Sequence, residues 1–434
     1  MKNLLNLSKK SFAVYGLGTT GKSVINYFNK FGFKNYTIWD DDKSLQSYWH
    51  LDKKNEKDFL ELIRIVDFIV VSPGINIKKT KIKKVLKKNN HKIITDLDLF
   101  YILHPKIRSI VVTGTNGKST TCKIIEHVLK KNKIKTQLGG NIGRPILSLD
   151  LKKNPLIIIE ASSFQLAYSK FVKPDYSMIL NLTKDHLDWH GSMEDYIQSK
   201  LKIFSLQNKN NFAFINNENL LKRFKNKGYR AKIKFIKLKN YKKLKKRIKN
   251  NYLNSEANEE NMGFVYELSK KFKISDNNFT KSLKSFKGLE HRHEIFYRKK
   301  NVIFINDSKA TTFQASKFAL KSNKNIFWIV GGLPKLGDNF KLGAVRKNII
   351  QSYIIGKNIK HFKNQLKGKI SHRSSLTLKR AFKSIFKDIK KIKKGTYVTI
   401  LLSPASASFD QYKNFEERGK HFKKLAKFYA RKFF

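Results

Sequence analysis

The apolar run Ile110-Val111-Val112 empties into Gly114-Thr-Asn-Gly-Lys-Ser-Thr120, and a helix-forming stretch, Cys122 to Lys131, follows. A buried strand that ends in a glycine turn and re-enters as a helix is the crossover unit of a parallel α/β sheet. The turn presents backbone N–H groups and a helix N-terminus to an anion. Gly114 and Gly117 let the backbone approach phosphate oxygens, Lys118 reaches the outer phosphates, and Ser119 offers a hydroxyl to Mg²⁺. The usual P-loop spacing would put glycine at Val112, so Gly114, Thr115, Asn116, Gly117, Lys118, Ser119 and Thr120 form a shortened relative of that loop. This segment reads as an ATP phosphate site.

The same alternation of strand and basic amphipathic helix runs through the whole chain, which fixes the class as α/β. The first third carries Phe12-Ala-Val-Tyr-Gly16, a helix from about Lys22 to Phe31, Tyr36-Thr-Ile-Trp39 ending in Asp40, and Phe68-Ile-Val-Val71 before Ser72-Pro73-Gly74. Its loop Gly16-Leu-Gly-Thr-Thr-Gly21 fits G-x-G-x-x-G, with Asp40 ending the next strand where an acid can hold a ribose. That geometry suits NAD, but it also binds the diphosphate of any nucleotide. A second unit begins near Asp96 and includes Leu156-Ile-Ile-Ile159 and Tyr176-Ser-Met-Ile-Leu180. A third opens near Gly288 with Val302-Ile-Phe-Ile305, Ile326-Phe-Trp-Ile-Val330 and Tyr397-Val-Thr-Ile-Leu-Leu402. The expected architecture is three domains: a Rossmann-like one over 1–95, a central P-loop-type ATP-binding one over 96–287, and a Rossmann-like C-terminal one over 288–434. The lysine-rich stretch from Lys209 to Leu253 shows no clear period.

Ligands of an open α/β sheet sit at the carboxyl ends of its strands. Glu160 ends the run Ile157-Ile-Ile159 and so falls on that edge, where a carboxylate can hold Mg²⁺. His186 and Asp188, in Asn181-Leu-Thr-Lys-Asp-His186-Leu-Asp188, follow the next strand. Ser119, Glu160 and His186 therefore converge as candidate metal ligands. In the third unit, Asn306-Asp-Ser-Lys-Ala-Thr311 and Ser403-Pro-Ala-Ser-Ala-Ser408 offer hydroxyls and a lysine suited to carboxylate and phosphate.

Charge points elsewhere. Lys+Arg 91 against Asp+Glu 32 gives +59, which in many chains signals nucleic acid. Here the lysines are spread over the whole length with Asn, Ile and Phe, as in a compositional bias. The densest segment, Ala231 to Asn251, mixes Phe235 and Tyr241 with lysines and is the one candidate polyanion contact. No apolar run is long enough to span a membrane. The first ten residues lack a signal-peptide core, and the single Cys122 fits a reducing cytosol. Two rival readings remain open. An NAD-dependent oxidoreductase rests on the Gly16 loop and leaves the Gly114 loop unexplained. A basic nucleic-acid-binding NTPase rests on charge, without a helicase or recognition motif.

Nearly end to end, the chain resembles the Mur ligases of peptidoglycan synthesis, and among them the members that add D-glutamate. The likeness is carried by Gly16-Leu-Gly with Thr20-Gly21, Ser72-Pro-Gly74, Gly114 to Thr120, Gly139-Gly-Asn-Ile-Gly143, Glu160-Ala-Ser-Ser-Phe-Gln165 and Asp185-His186. It continues through Ser199-Lys200-Leu201, Gly288-Leu-Glu-His-Arg292, Asn306 to Thr311, Gly331-Gly332 with Lys335, and Ser403 to Asp410 before Asn414-Phe415-Glu416. The resemblance implies a cytoplasmic, monomeric ligase with Mg²⁺ as cofactor, ATP as co-substrate, and UDP-N-acetylmuramoyl-L-alanine and D-glutamate as the molecules joined. No nucleic acid partner and no membrane span are expected.

By the same resemblance, Thr19, Thr20, Asp40 and Gly74 lie on the UDP side, and Asn141 contacts the muramoyl group. Lys118 and Ser119 hold phosphates and Mg²⁺, with Glu160, His186 and an N-carbamylated Lys200 as further metal ligands. Asn258 and Asn261 lie near adenine, and Arg292, Asp307 and Lys309 face ATP. Thr311, Lys335, Ser408 and Phe415 bind D-glutamate. Lys118, Lys200, His186 and Lys309 are the expected catalytic set. Two departures stand out: Asp41-Asp42 replace a frequent Thr-Arg after the first acid of the uridine loop, and Ala257 stands where a histidine usually precedes the first adenine-side asparagine.

Overall fold

The computed structural model describes residues 2–434 apart from 249, 251, 254, 255, 336 and 394. The chain forms two compact units, Met1–Phe286 and Lys287–Phe434. The α/β class expected from the sequence is the class observed, with helices between the strands of parallel sheets.

The first unit holds two sheets. One runs in the order Tyr36–Trp39, Phe12–Tyr15, Phe68–Val71, Ile93–Ile94, all parallel. The other runs Lys232–Phe235, Phe212–Ile215, Tyr176–Ile179, Ser109–Thr113, Leu156–Glu160, Thr136–Gly140, also all parallel. The central strands are mostly apolar and buried because helices cover both faces. One continuous buried cluster passes from Phe12 and Phe28 through Leu97 and Phe100 to Val111 and Ile157, so the helix Asp96–Leu103 welds the two sheets into one body. The second unit has a single sheet, Glu294–Lys299, Val302–Asn306, Val398–Leu402, Ile326–Gly331, Ile349–Ile355, His372–Leu376, in which only the first strand is antiparallel.

Two helices start about one turn earlier than their apolar periodicity indicates, at Thr19 and at Lys118. Their first turns carry polar residues at the sheet's carboxyl edge, where no apolar stripe is needed. The lysine-rich stretch without period becomes two further strand–helix units, Phe212–Ile215 with Glu218–Asn226 and Lys232–Phe235 with Leu238–Lys245. Its Tyr241 is buried and Phe235 half-buried, so these rings serve the core and do not offer a stacking surface to nucleic acid. Residues 249 and 251 of the basic segment lie outside the described residues.

The weld carries a cost. Asp96, in the first turn of Asp96–Leu103, is fully buried; Gln165 Nε2 lies 3.5 Å from its Oδ2, and Oδ1 has no partner among the described residues. A carboxylate at a helix N-terminus gains about 0.3–1 kcal/mol from the dipole. Burial outweighs that gain and pushes the Asp96 pKa up to about 6, against Gln165 and the backbone N–H groups. A raised folded pKa contributes stability that is fully present below the ordinary 3.8 and is lost as pH rises through about 6. Asp96→Asn is therefore expected to stabilise the protein at pH 8, by up to about 3 kcal/mol, and to flatten the stability profile between pH 4 and 6. Thermal melts across that range check it, and a lower Tm for the variant at pH 8 would contradict it.

Candidate functional site

The register of the second sheet sets Val112 opposite Glu160, and Ser109–Thr113 has Tyr176–Ile179 as its other neighbour. The strand order reverses at this point, which opens a crevice beyond the carboxyl ends. Gly117 stands at the N-cap of Lys118–Lys131 with φ 84°, a left-handed conformation that favours glycine. A Cβ there would overlap the Asn261 side chain, so the helix Glu256–Lys271 packs directly on the phosphate loop. Asn261 Nδ2 lies 3.3 Å from Asn258 Oδ1, and Asn258 donates to the Tyr252 carbonyl at 2.8 Å. Both asparagines assigned to the nucleotide are thus brought to the loop as a pair.

Two lysine amines meet on one carbonyl oxygen. Lys118 Nζ donates to the carbonyls of Gly114 and Thr115 at 2.8 Å, and Lys200 Nζ donates to Gly114 O at 3.0 Å and to Thr113 Oγ1 at 3.3 Å. Lys200 is only 1 % exposed. Burial first, and the Lys118 charge second, push its amine well below the usual lysine range, while Asp185 and Glu160 oppose the shift. Glu160 is 2 % exposed. Its Oε1 accepts from Asn141 Nδ2 at 2.8 Å, whereas Oε2 is buried without a partner among the described residues. A carboxylate oxygen left so is costly, and a hard cation is the species that satisfies it. With the buried Ser119 hydroxyl in the first helical turn, this donor set fits Mg²⁺. His186 caps the short helix Leu187–His190 in the left-handed region, φ 52°, with Asp185 Oδ2 3.4 Å from its Nε2 and the Phe164 ring 4.7 Å away.

At the other sheet of this unit, Thr19 and Thr20 form the first turn of Thr19–Lys30, and Ser72 Oγ, two residues before Gly74, donates to Gly16 O at 2.6 Å. Asp40 is buried, and its carboxylate accepts from Leu17 N at 2.6 Å and from Asp42 N at 2.8 Å. It clamps the glycine loop. The two unusual acids beside it also have internal duties. Asp41 accepts from Tyr15 OH at 2.5 Å and Trp39 Nε1 at 3.2 Å, and Asp42 caps Lys43–Tyr48 through Ser44 N at 2.8 Å.

In the second unit, the loops after Val302–Asn306, Ile326–Gly331 and Val398–Leu402 share one edge, since these strands are neighbours. Asp307 accepts from Ser403 Oγ at 2.7 Å and from His293 N at 3.0 Å, and burial raises its pKa to about 7 against those bonds and the nearby Arg292 charge. Lys309 Nζ lies 4.7 Å from the centre of the Phe415 ring, and Ser308 Oγ donates to Phe415 O at 2.8 Å. Leu333 and Ala407 exchange backbone hydrogen bonds of 2.9 and 3.0 Å, which sets the turn carrying the exposed Lys335 beside the buried Ser408. Thr311 is exposed at the end of the first loop.

Three contributors escaped the sequence reading as functional residues. Asn181 Oδ1 accepts from Asn116 N at 2.8 Å and its amide donates to Asn116 O at 3.2 Å, bracing the phosphate loop. Arg418 is buried and donates to Ser308 Oγ, Ser308 O, Ser406 O and Ala407 O, tying two of the second unit's loops together; burial lowers its pKa to about 10, so it stays charged. An arginine among Phe415, Phe422 and Ala426 on the apolar stripe of a helix was the available signal. His190, 3 % exposed, bonds two serines; burial, then Lys200 and His186, hold its pKa down to about 4. The cluster Glu290, His291 and Glu294 has metal-like spacing, but Lys423 bonds both carboxylates at 2.9 and 2.8 Å.

Comparison with known proteins adds to this geometry. Residues 112–280 match the family model described as Mur ligase middle domain, and residues 10–95 match Mur ligase MurD-like, N-terminal domain. The UDP-N-acetylmuramoylalanine--D-glutamate ligase of Wolbachia sp. subsp. Brugia malayi is 34% identical over 487 residues, covering 96% of this chain and 97% of its own. That of Rickettsia felis is 34% identical over 442 residues, covering 97% of each. Among solved structures, the MurF ligase of Thermotoga maritima in complex with ADP matches with a TM-score of 0.56 at 18% identity, over 88% of this chain and 93% of that one. The last likeness speaks to the fold alone.

The Gly117 turn yields a direct test. Gly117→Ala forces a Cβ into the left-handed region and against Asn261. We expect the melting temperature to fall by only a few degrees, for a local strain of about 1–2 kcal/mol, while ATP affinity drops at least tenfold by calorimetry. Unchanged affinity would show that the loop does not contact the nucleotide.

Proposed function

The chain belongs to the Mur ligase family, and from that premise we propose that it joins D-glutamate to UDP-N-acetylmuramoyl-L-alanine with ATP, releasing ADP and phosphate, in peptidoglycan precursor synthesis. One observation carries this reading: the likeness to D-glutamate ligases spans 96% or more of the chain. In the proposed partition, 1–95 takes the UDP-substrate, 96–287 takes ATP, and 288–434 takes the amino acid.

A carboxylate is a poor electrophile, so the alanyl carboxylate attacks the γ-phosphorus of ATP and ADP leaves. The resulting acyl phosphate is attacked by the D-glutamate amine, and the tetrahedral adduct expels phosphate as the amide forms. Little covalent work falls to the protein; positioning and charge neutralisation dominate. Lys118, Ser119 and the loop N–H groups receive the phosphates, and Asn258 and Asn261 flank the base. Arg292, Asp307 and Lys309 also serve ATP. Thr19, Thr20, Asp40, Gly74 and Asn141 serve the UDP-substrate, with Thr311, Lys335, Ser408 and Phe415 for D-glutamate. Glu160, Ser119, His186 and carbamylated Lys200 would hold Mg²⁺, which neutralises phosphate charge when bound. Carbamylation needs a neutral amine, and the buried Lys200, pushed well below the ordinary lysine range, supplies one.

The decisive assay is phosphate release that requires both UDP-N-acetylmuramoyl-L-alanine and D-glutamate and is indifferent to DNA or RNA. Release stimulated by polynucleotide, or without D-glutamate, would overturn the reading. Within it, Thr311→Ala and Ser408→Ala each remove a partner of a buried carboxylate, worth about 1.5–3 kcal/mol. The KM for D-glutamate is expected to rise roughly tenfold or more while that for ATP stays put; equal rises would remove these residues from the amino-acid site. Lys200→Ala should cut turnover severely with the fold intact, and bicarbonate-depleted enzyme should recover when bicarbonate is restored. Full turnover in that variant would discard the carbamate.

A further inference from the structure

Glu160, His186 and Lys200 sit on three separate segments of the chain, and one residue, His190, bonds to a neighbour of two of them through its ring and to the third through its backbone. His190 Nε2 lies 3.0 Å from Ser163 Oγ, in the helix Ser163–Tyr168 that directly follows Glu160. Its Nδ1 lies 3.5 Å from Ser199 Oγ, adjacent to Lys200 in Met193–Leu201. Its backbone N donates to His186 O at 3.0 Å. Ser199 Oγ already donates to Asp195 O at 2.7 Å, so it accepts from His190 Nδ1–H, and Ser163 Oγ–H donates to Nε2. That assignment satisfies both ring nitrogens of a neutral imidazole.

The ring is also wedged. Phe164 stacks on it at 5.7 Å with planes 6° apart while touching His186 at 4.7 Å, and Tyr196 meets its face edge-on at 5.2 Å. Tyr196 in turn lies 2.9 Å from Thr115 Oγ1 of the phosphate loop and under the Lys200 amine. We propose that His190 is a positioning residue that fixes Glu160, His186 and Lys200 in register for the divalent cation, through its bonds to Ser163 and Ser199. The proposal rests on the reading of those three residues as the metal site.

The test measures Mn²⁺ binding to the full-length enzyme with a non-hydrolysable ATP analogue, by electron paramagnetic resonance, beside steady-state kinetics. His190→Ala is expected to weaken Mn²⁺ at least tenfold and to lower kcat at least tenfold, with the KM for D-glutamate within twofold of the parent. Ser163→Ala and Ser199→Ala should each give part of the loss. His190→Ala combined with Ser163→Ala should lose no more than His190→Ala alone, because the shared bond is gone once. His190→Gln, whose amide can keep the Ser163 bond, should recover part of the affinity. A folded His190→Ala with Mn²⁺ affinity within twofold of the parent overturns the inference; should that variant not fold, parent-like affinity in both serine variants does the same. A parent that binds no Mn²⁺ beside the analogue defeats the metal-site reading itself.

Discussion

Parallel pairing of Ser109–Thr113 with Leu156–Glu160 is the constraint on which the first unit's chemistry hangs. It sets Val112 beside Glu160, so a phosphate loop and a carboxylate leave the same sheet edge from adjacent strands. Every other contributor is then a matter of what packs on that edge. Asn181 braces Asn116, Asn261 closes on Gly117, and Lys200 reaches Gly114 O from a helix of its own. A one-residue slip between the strands would turn Glu160 to the opposite face and take its carboxylate away from the two amines.

The balance of charge at this edge is unusual for a protein interior. Two amines share one carbonyl oxygen, while one carboxylate oxygen has no donor among the described residues. Taking an ion from water costs several kcal/mol unless it is paired. The second unit follows the opposite logic. Arg418 is buried but bonded by three carbonyls and a hydroxyl, so its charge is spent on holding loops in place.

Local motifs were legible because they depend on neighbours in sequence. The Gly114 loop, Glu160 at a strand end and the alternation of strand and helix all follow from spacing. The contributors that sequence reading missed are those whose meaning lies in distant partners. Asn181 matters through Asn116, His190 through Ser163 and Ser199, and Arg418 through Ser308 and Ser406. Asp40 shows the converse case. Its position in the motif suggests a ligand contact, yet the carboxylate already accepts from Leu17 and Asp42, so part of its worth is in shaping the loop. The stretch from Lys209 to Leu253 hid two strands for different reasons: Phe212–Ile215 is an apolar run of only four residues, and in Lys232–Phe235 the lysines at 232 and 234 replace any apolar face on that side.

Lysine abundance blurs which lysines of this chain are chemically distinct, and burial singles out Lys200. A net charge of +59 places lysine on nearly every helix, so neither its frequency nor its clustering distinguishes a site. Solvated lysines act at long range only through a field that salt screens within about 8–10 Å. Lys200 differs physically: at 1 % exposure it has lost its hydration, and burial with the Lys118 charge favours the neutral amine. A lysine becomes a chemical group distinct from its neighbours when the fold removes it from water beside another cation. In a chain of this composition, that desolvation, in the helix Met193–Leu201, marks out Lys200 in a way that the residue type alone does not.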